Sequence, residues 1–244
     1  MQALYPALCP LCGAPSDSNC ALGGCSLHRL PEPSARAPGP RCDRCAQALP
    51  PMLPHGTRCA ACRRRPPRTA RVVALDDYRS NAALRDWILA FKHRRRKDLG
   101  EPLGRALAAR LLDELGQAPR GALLVPVPLH PLRRLQRGYD QARELSRAAA
   151  PLLGAESRAC LVRSRWTAPQ GAPESPRRRA NVHGAFALRR GQALDLRGVP
   201  VWLVDDVLTS GATLDACAQV LAARGARRIG VLCLARAGEG SSLG

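Results

Sequence analysis

Asp205 and Asp206 stand side by side, and after two apolar residues come Thr209, Ser210, Gly211, Ala212 and Thr213. Carboxylates accept hydrogen bonds from a sugar diol, whereas hydroxyls and free backbone N–H groups at the start of a helix hold a phosphate. Gly211 permits close approach of the backbone to such a group. The pattern suits a phosphorylated sugar, although Asp206, Thr209 or Ser210 acting as a plain helix cap is the simpler alternative.

A second kind of chemistry lies upstream. Eight of the 11 cysteines precede residue 63. Cys9 with Cys12, Cys42 with Cys45, and Cys59 with Cys62 are C-x2-C pairs, a spacing that lets two thiolates of one tight turn reach the same metal. Cys42, Cys45, Cys59 and Cys62, with 13 residues between the pairs, form one quartet. Cys9 and Cys12 need partners, and Cys20 and Cys25 supply them through a wider C-x4-C turn, unless a single zinc leaves those thiols over. Disulfides suit a reducing compartment poorly. The expectation is one or two structural Zn2+ ions, because four thiolates leave no position for substrate and this segment has too few large apolar residues for a core of its own.

The elements that must position these groups can be read from periodicity. Residues 201–204, Val-Trp-Leu-Val, read as a strand buried on both faces that delivers the acid pair to its carboxyl end. A helix follows over Leu214–Arg224. Upstream, Val72–Tyr78 reads as a strand and Ala82–Lys92 as a helix with Leu84, Trp87, Ile88 and Phe91 on one face. The basic loop His93–Lys97 leads to a helix over Leu99–Leu115 that stops at Gly116. Residues 122–127 form another buried strand, 128–134 a rigid basic turn, and Asp140 caps a helix ending near Gly154. Strands follow at 157–162 and 229–234. Between them, 163–184 carries Pro169, Gly171, Pro173 and Pro176 and reads as a mobile loop.

These elements predict an α/β fold: a mostly parallel sheet flanked by helices, with a small N-terminal zinc-ribbon module. The expected divisions are 1–65 for a double zinc ribbon, 72–238 for the α/β domain and 239–244 for a disordered tail, with Pro66-Pro67 in the linker. Cys160, Cys217 and Cys233 fall in the α/β part and read as small buried residues.

The chain has 244 residues, 45% of them hydrophobic, enough for one ordinary domain and a small module. No stretch approaches the roughly 20 apolar residues that cross a bilayer, and no basic-then-apolar leader opens the sequence, so a cytoplasmic location is expected. The net charge of +19 comes almost wholly from arginine; Lys92 and Lys97 are the two lysines. Clusters at 63–65, 94–97, 133–137 and 177–179 admit two readings, a polyanion-binding surface or a global compositional bias. Without interleaved aromatics, no stacking platform for single strands is visible.

Residues 201–213 resemble the 13-residue signature of type I phosphoribosyltransferases without a gap. Residues 125–133, Val-Pro-Val-Pro-Leu-His-Pro-Leu-Arg, and 137–142, Arg-Gly-Tyr-Asp-Gln-Ala, resemble the ComF family, which includes the GntX branch and is associated with DNA uptake in competence. Gln170, Arg177–Arg179, Asn181 and Gly184-Ala185-Phe186 continue that likeness. Tyr139 and Asp140 stand where the family usually has Phe and Asn, which keeps the ring but gives up an amide donor. ComF proteins also begin with a double zinc ribbon.

The resemblance implies binding of phosphoribosyl pyrophosphate (PRPP) with Mg2+ and, as a glycosyltransferase, transfer of its phosphoribose with release of pyrophosphate. Asp205 and Asp206 would hold the ribose hydroxyls as the catalytic pair, and Thr209 to Thr213 would wrap the 5-phosphate. Arg133, Arg134 and Arg137 become candidates for the pyrophosphate, and Arg177, Arg178 and Arg179 for a closing loop. The competing implication is a non-catalytic accessory protein of DNA uptake that senses PRPP or binds single-stranded DNA beside a competence helicase-type partner. Neither the acceptor nor the oligomeric state is legible.

Overall fold

The computed structural model describes residues 39–54, 56–164, 184–191 and 193–237. Cys9, Cys12, Cys20, Cys25, Arg177, Arg178, Arg179 and the 239–244 tail lie outside them.

Among the described residues the chain runs α1 (Ala60–Arg64), β1 (Arg71–Asp77), α2 (Ala82–His93), a 3-10 turn (Lys97–Leu99), α3 (Gly100–Leu115), β2 (Leu123–Pro126), α4 (Pro131–Arg137), α5 (Gln141–Leu152), β3 (Glu156–Ser157), β4 (Leu161–Arg163), β5 (Phe186–Leu188), β6 (Val201–Leu208), α6 (Ala212–Ala222) and β7 (Ile229–Arg236). Five strands form one sheet in the order β1-β7-β6-β2-β3, every pair parallel. The sheet must be covered on both faces, which its near-continuous apolar strands require. On one face lie α2, α3 and α5, with Leu84, Phe91, Leu103, Leu107 and Leu145 packed on Leu124, Trp202 and Leu232. On the other lie α6 and the antiparallel β4-β5 ribbon, with Leu161, Phe186, Leu214 and Cys217 over Val125, Leu203 and Val231. Ala46, from the cysteine-bearing segment, joins this second layer. Cys160, Cys217 and Cys233 are fully covered, as expected of small core residues.

Several elements differ from the sequence expectation. Residues 131–137 form helix α4 instead of a rigid turn: His130 caps it by accepting from the Leu132 amide, Pro131 sits where its missing N–H costs nothing, and Gly138 ends it in the left-handed region. The strand expected at 157–162 is two pieces, Glu156–Ser157 paired with β2 and Leu161–Arg163 paired with β5. Strand β5, with three residues, is too short to show a period in the sequence. Strand β6 continues past Val204 through both aspartates to Leu208.

Helices α3 and α5 cross at Gly104. A Cβ there would lie 2.5 Å from the Ala148 Cβ and 2.7 Å from the Leu145 carbonyl oxygen, so only glycine allows this approach. Gly104→Ala is expected to destabilise the fold by about 1–3 kcal/mol, the usual cost of overpacking, seen as a lower midpoint in urea unfolding. An unchanged midpoint would show that the helices separate without cost.

Candidate functional site

The part-buried acid pair sits at an opening made by a mismatch in strand length. Strand β2 ends at Pro126, opposite Val204, while β7 continues beside β6 as far as Arg236 opposite Leu208. Asp205 is therefore paired on one side and open on the other. Successive residues of a strand face opposite ways. Asp206 turns to the α2 side, where its Oδ2 meets the Lys92 Nζ at 3.3 Å. Asp205 turns to the α6 side: burial, and then the Asp205 charge, push the Cys217 thiol well above its ordinary value. The Asp205 Oδ1 accepts from the Asp206 amide at 2.8 Å. Burial first, and the like charge of Asp206 second, raise the Asp205 carboxyl well above the usual carboxylate range; Lys92 opposes the shift.

Lys92 is a site residue that the sequence did not reveal. Its only signal was its rarity, a lysine in a chain that uses arginine elsewhere. Its position is held from the neighbouring residue. The Phe91 carbonyl accepts from the Tyr139 hydroxyl and, at 3.3 Å, from the Gln141 Nε2. The tyrosine thus gains a bond that phenylalanine lacks, and burial pushes its hydroxyl up to about 12. Asp140 caps α5, accepting from the Arg143 amide at 3.3 Å and the Leu129 amide at 3.5 Å, so every bond it makes here is as an acceptor.

The candidate pyrophosphate arginines all lie on α4, directly after β2, but they diverge. Arg137 bonds the Gln141 Oε1 at 3.2 Å, and its charge, after burial, lowers the His93 pKa. Arg133 has the corresponding effect on Arg163, whose lowered pKa is due to burial and then Arg133, with Asp205 opposing. Arg134 is exposed. Arg163, on β4 with its guanidinium 5.5 Å from the Phe186 ring centroid, is a second cation near the acid pair that sequence pattern could not single out.

The loop Thr209–Gly211 leads into α6 with Gly211 as N-cap in the left-handed region at φ +77°, and no side chain caps the helix in the usual way. The Ser210 Oγ accepts from the Ala212 amide at 3.5 Å, a weak contact. The helix-cap alternative therefore leaves most of the loop's donors unspent, which is the arrangement a phosphate requires.

Cys42, Cys45, Cys59 and Cys62 converge, their sulfurs all within 4.8 Å of one another. Cys45 and Cys59 Sγ are 3.8 Å apart. A zinc–sulfur tetrahedron with bonds of about 2.3 Å has edges of about 3.8 Å, so the set fits Zn2+. Burial and the neighbouring thiols hold Cys62 far above its ordinary pKa, whereas at Cys42 burial is outweighed by backbone amides, that of Cys59 first, which bring the thiol down to about 7. A cavity of about 660 Å³ lies between this knuckle and the loop; Thr209, Ser210 and Gly211 line it, but neither aspartate does.

Two outcomes follow. Protein purified without chelator should carry zinc, and the double change Cys59→Ser, Cys62→Ser should remove one equivalent by metal analysis; unchanged content would clear these thiols of the role. The raised Asp205 pKa means that folding favours its protonated form, an advantage lost as pH rises above the ordinary carboxylate range. Asp205→Asn should therefore melt above the parent at pH 8, with the gap shrinking toward pH 4. A variant less stable at pH 8 would contradict the unfavourable burial of this charge.

A model of the phosphoribosyl transferase domain matches residues 135–243. The chain is 33% identical over 238 residues to the DNA utilization protein YhgH of Salmonella typhimurium, covering 95% of this chain and 97% of that protein. It is 31% identical over 237 residues to the YhgH protein of Escherichia coli K12, with the same coverage. The competence protein F of Haemophilus influenzae is 30% identical over 204 residues, 81% of this chain and 85% of that one. With the parallel sheet, the open acid pair and the uncapped loop beside it, these matches show that the chain belongs to the ComF family of phosphoribosyltransferase-like proteins.

Proposed function

We propose that the β6–α6 site binds PRPP with Mg2+ and transfers its phosphoribose to a nucleophile, in a role connected with the use or uptake of DNA. The observation that carries this reading is the pair of part-buried carboxylates beside a helix N-terminus whose N-cap is a glycine and whose one side-chain contact is the weak bond from the Ala212 amide to the Ser210 Oγ. In this reading the amides and hydroxyls of Thr209 to Thr213 hold the 5-phosphate, and Asp205 accepts from the ribose hydroxyls. Asp206, neutralised by Lys92 at 3.3 Å, shares that task.

Transfer breaks the bond from the anomeric carbon to the pyrophosphate oxygen, which leaves with the electron pair. The acceptor's lone pair forms the new bond, and its proton passes to water or to the departing group. The carboxylates stabilise positive charge growing on the ribose, and in this reading Arg133 and Arg137 would stabilise the negative charge growing on the pyrophosphate. Mg2+ would arrive on the substrate's diphosphate and neutralise it, with carboxylate oxygens of Asp205 and Asp206 as the hard ligands the chain can offer. Arg177, Arg178 and Arg179 would supply further cations to the leaving group.

The second reading, a PRPP sensor or single-strand DNA-binding accessory protein, is favoured by the net charge of +19. The names DNA utilization protein and competence protein F suit either reading. Calorimetric titration with PRPP separates them from an inert scaffold. Binding should require Mg2+, and Asp205→Asn with Asp206→Asn should weaken it by at least about tenfold, or about 1.4 kcal/mol. Retained affinity in that double variant would remove the aspartates from the site. Salt-sensitive DNA binding that survives the double change, without pyrophosphate release, would favour the accessory reading.

A further inference from the structure

Arg236 ends strand β7 with 8% of its surface exposed, and among the described residues its guanidinium bonds backbone carbonyls alone. Nε donates to the Cys45 carbonyl at 3.1 Å, and Nη1 donates to Leu208 at 3.1 Å and also to Thr209 and Ala237. One rigid, planar fork thus joins a cysteine of the four-thiol knuckle to the end of β6 and the first residue of the phosphate loop. No carboxylate is among its hydrogen-bond or ion-pair partners in the described residues, although a buried cation needs compensating charge. The knuckle can provide it: Zn2+ held by four thiolates carries two net negative charges, and Cys45 is both one of the four and the acceptor of Nε.

Other contacts join the two parts, but not at the loop's entry: Ala46 packs in the core layer, and the Arg68 amide donates to the Asp215 Oδ1 at 3.0 Å, on α6. Beside them a cavity of about 660 Å³ is lined by Arg44 and Cys62 from the knuckle and by Ser210 and Gly211 from the loop. We propose that Arg236 is a positioning residue through which metal at Cys42, Cys45, Cys59 and Cys62 sets the conformation of the phosphate loop. Loss of the metal frees the Cys45 carbonyl and removes the charge that keeps the guanidinium in place. The loop then loses the donor that holds the Leu208 carbonyl at its entry and the carbonyl of its first residue, Thr209. The inference rests on the reading of 209–213 as the PRPP phosphate site. If both hold, metal and PRPP binding are linked, and each raises the affinity of the other by the same factor.

The test compares the full chain loaded with zinc and stripped by chelator, using amide hydrogen exchange at 209–213 and calorimetry with PRPP and Mg2+. Stripping should speed exchange at 209–213 at least tenfold while 123–126 and 231–234 stay protected, and should weaken PRPP binding at least tenfold. Arg236→Met should give loaded protein the exchange and affinity of stripped protein, with zinc still stoichiometric, and Arg236→Lys should restore part of both. Equal exchange at 209–213 with and without zinc would overturn the proposal, as would a zinc response that persists in Arg236→Met. Should that variant fail to fold, the exchange comparison on the parent protein decides alone. Failure of the loaded parent to bind PRPP would sink the functional reading, while the exchange data would still judge the coupling.

Discussion

The site depends on strand β2 stopping opposite Val204 while β6 runs on to Leu208. Had β2 continued, its carbonyls and amides would have covered one edge of Asp205, and the carboxylate would have entered a closed sheet. Because it stops, the chain leaves the sheet at Pro128 and turns through α4, the helix that carries Arg133 and Arg137. A proline at the last paired position suits this ending, since it has no amide to offer the ladder.

The same opening sets two electrostatic demands. Two adjacent carboxylates repel, and here the strand's alternation separates them across the sheet, Asp206 to Lys92 on one face and Asp205 toward Cys217 and Arg163 on the other. Only Asp206 has a direct ion pair among the described residues. Asp205 holds its proton tightly, a state that suits neither stability at neutral pH nor a solvated surface, and that a ligand with hydroxyl donors and a cation would relieve. Strain of this kind is common at sites built for binding.

Much of this was legible in the sequence, for identifiable reasons. The helices over 82–93 and 100–115 showed because three or more large apolar residues recur at helical spacing, and the four-cysteine knuckle because metal geometry fixes ligand spacing. The acid pair and loop showed because strand, carboxylates and glycine are contiguous. What stayed hidden is non-local. Lys92 reaches Asp206 from a helix more than a hundred residues away, Arg163 enters from a two-stranded ribbon too short to show a period, and Arg236 looks like the end of a core strand. Helix α4 was hidden for a different reason. It buries no residue, so it has no apolar face to read, and its caps His130 and Gly138 are what define it.

The order of strands bears on how this chain reaches its fold. Strand β1 has one sheet neighbour, β7, which lies more than 150 residues further along the chain, and the bond from Arg236 to Cys45 spans 191 positions. During synthesis, the cysteine knuckle and β1 emerge long before the strand on which they dock. Until β7 is made, β1 carries an unpaired edge and α2 and α3 lack part of the apolar surface they cover. Non-local parallel pairing of this kind is slow, and it leaves apolar strand exposed to other chains in the interval. A metal bound early at the knuckle would let that segment fold by itself while the chain waits for its partner strand.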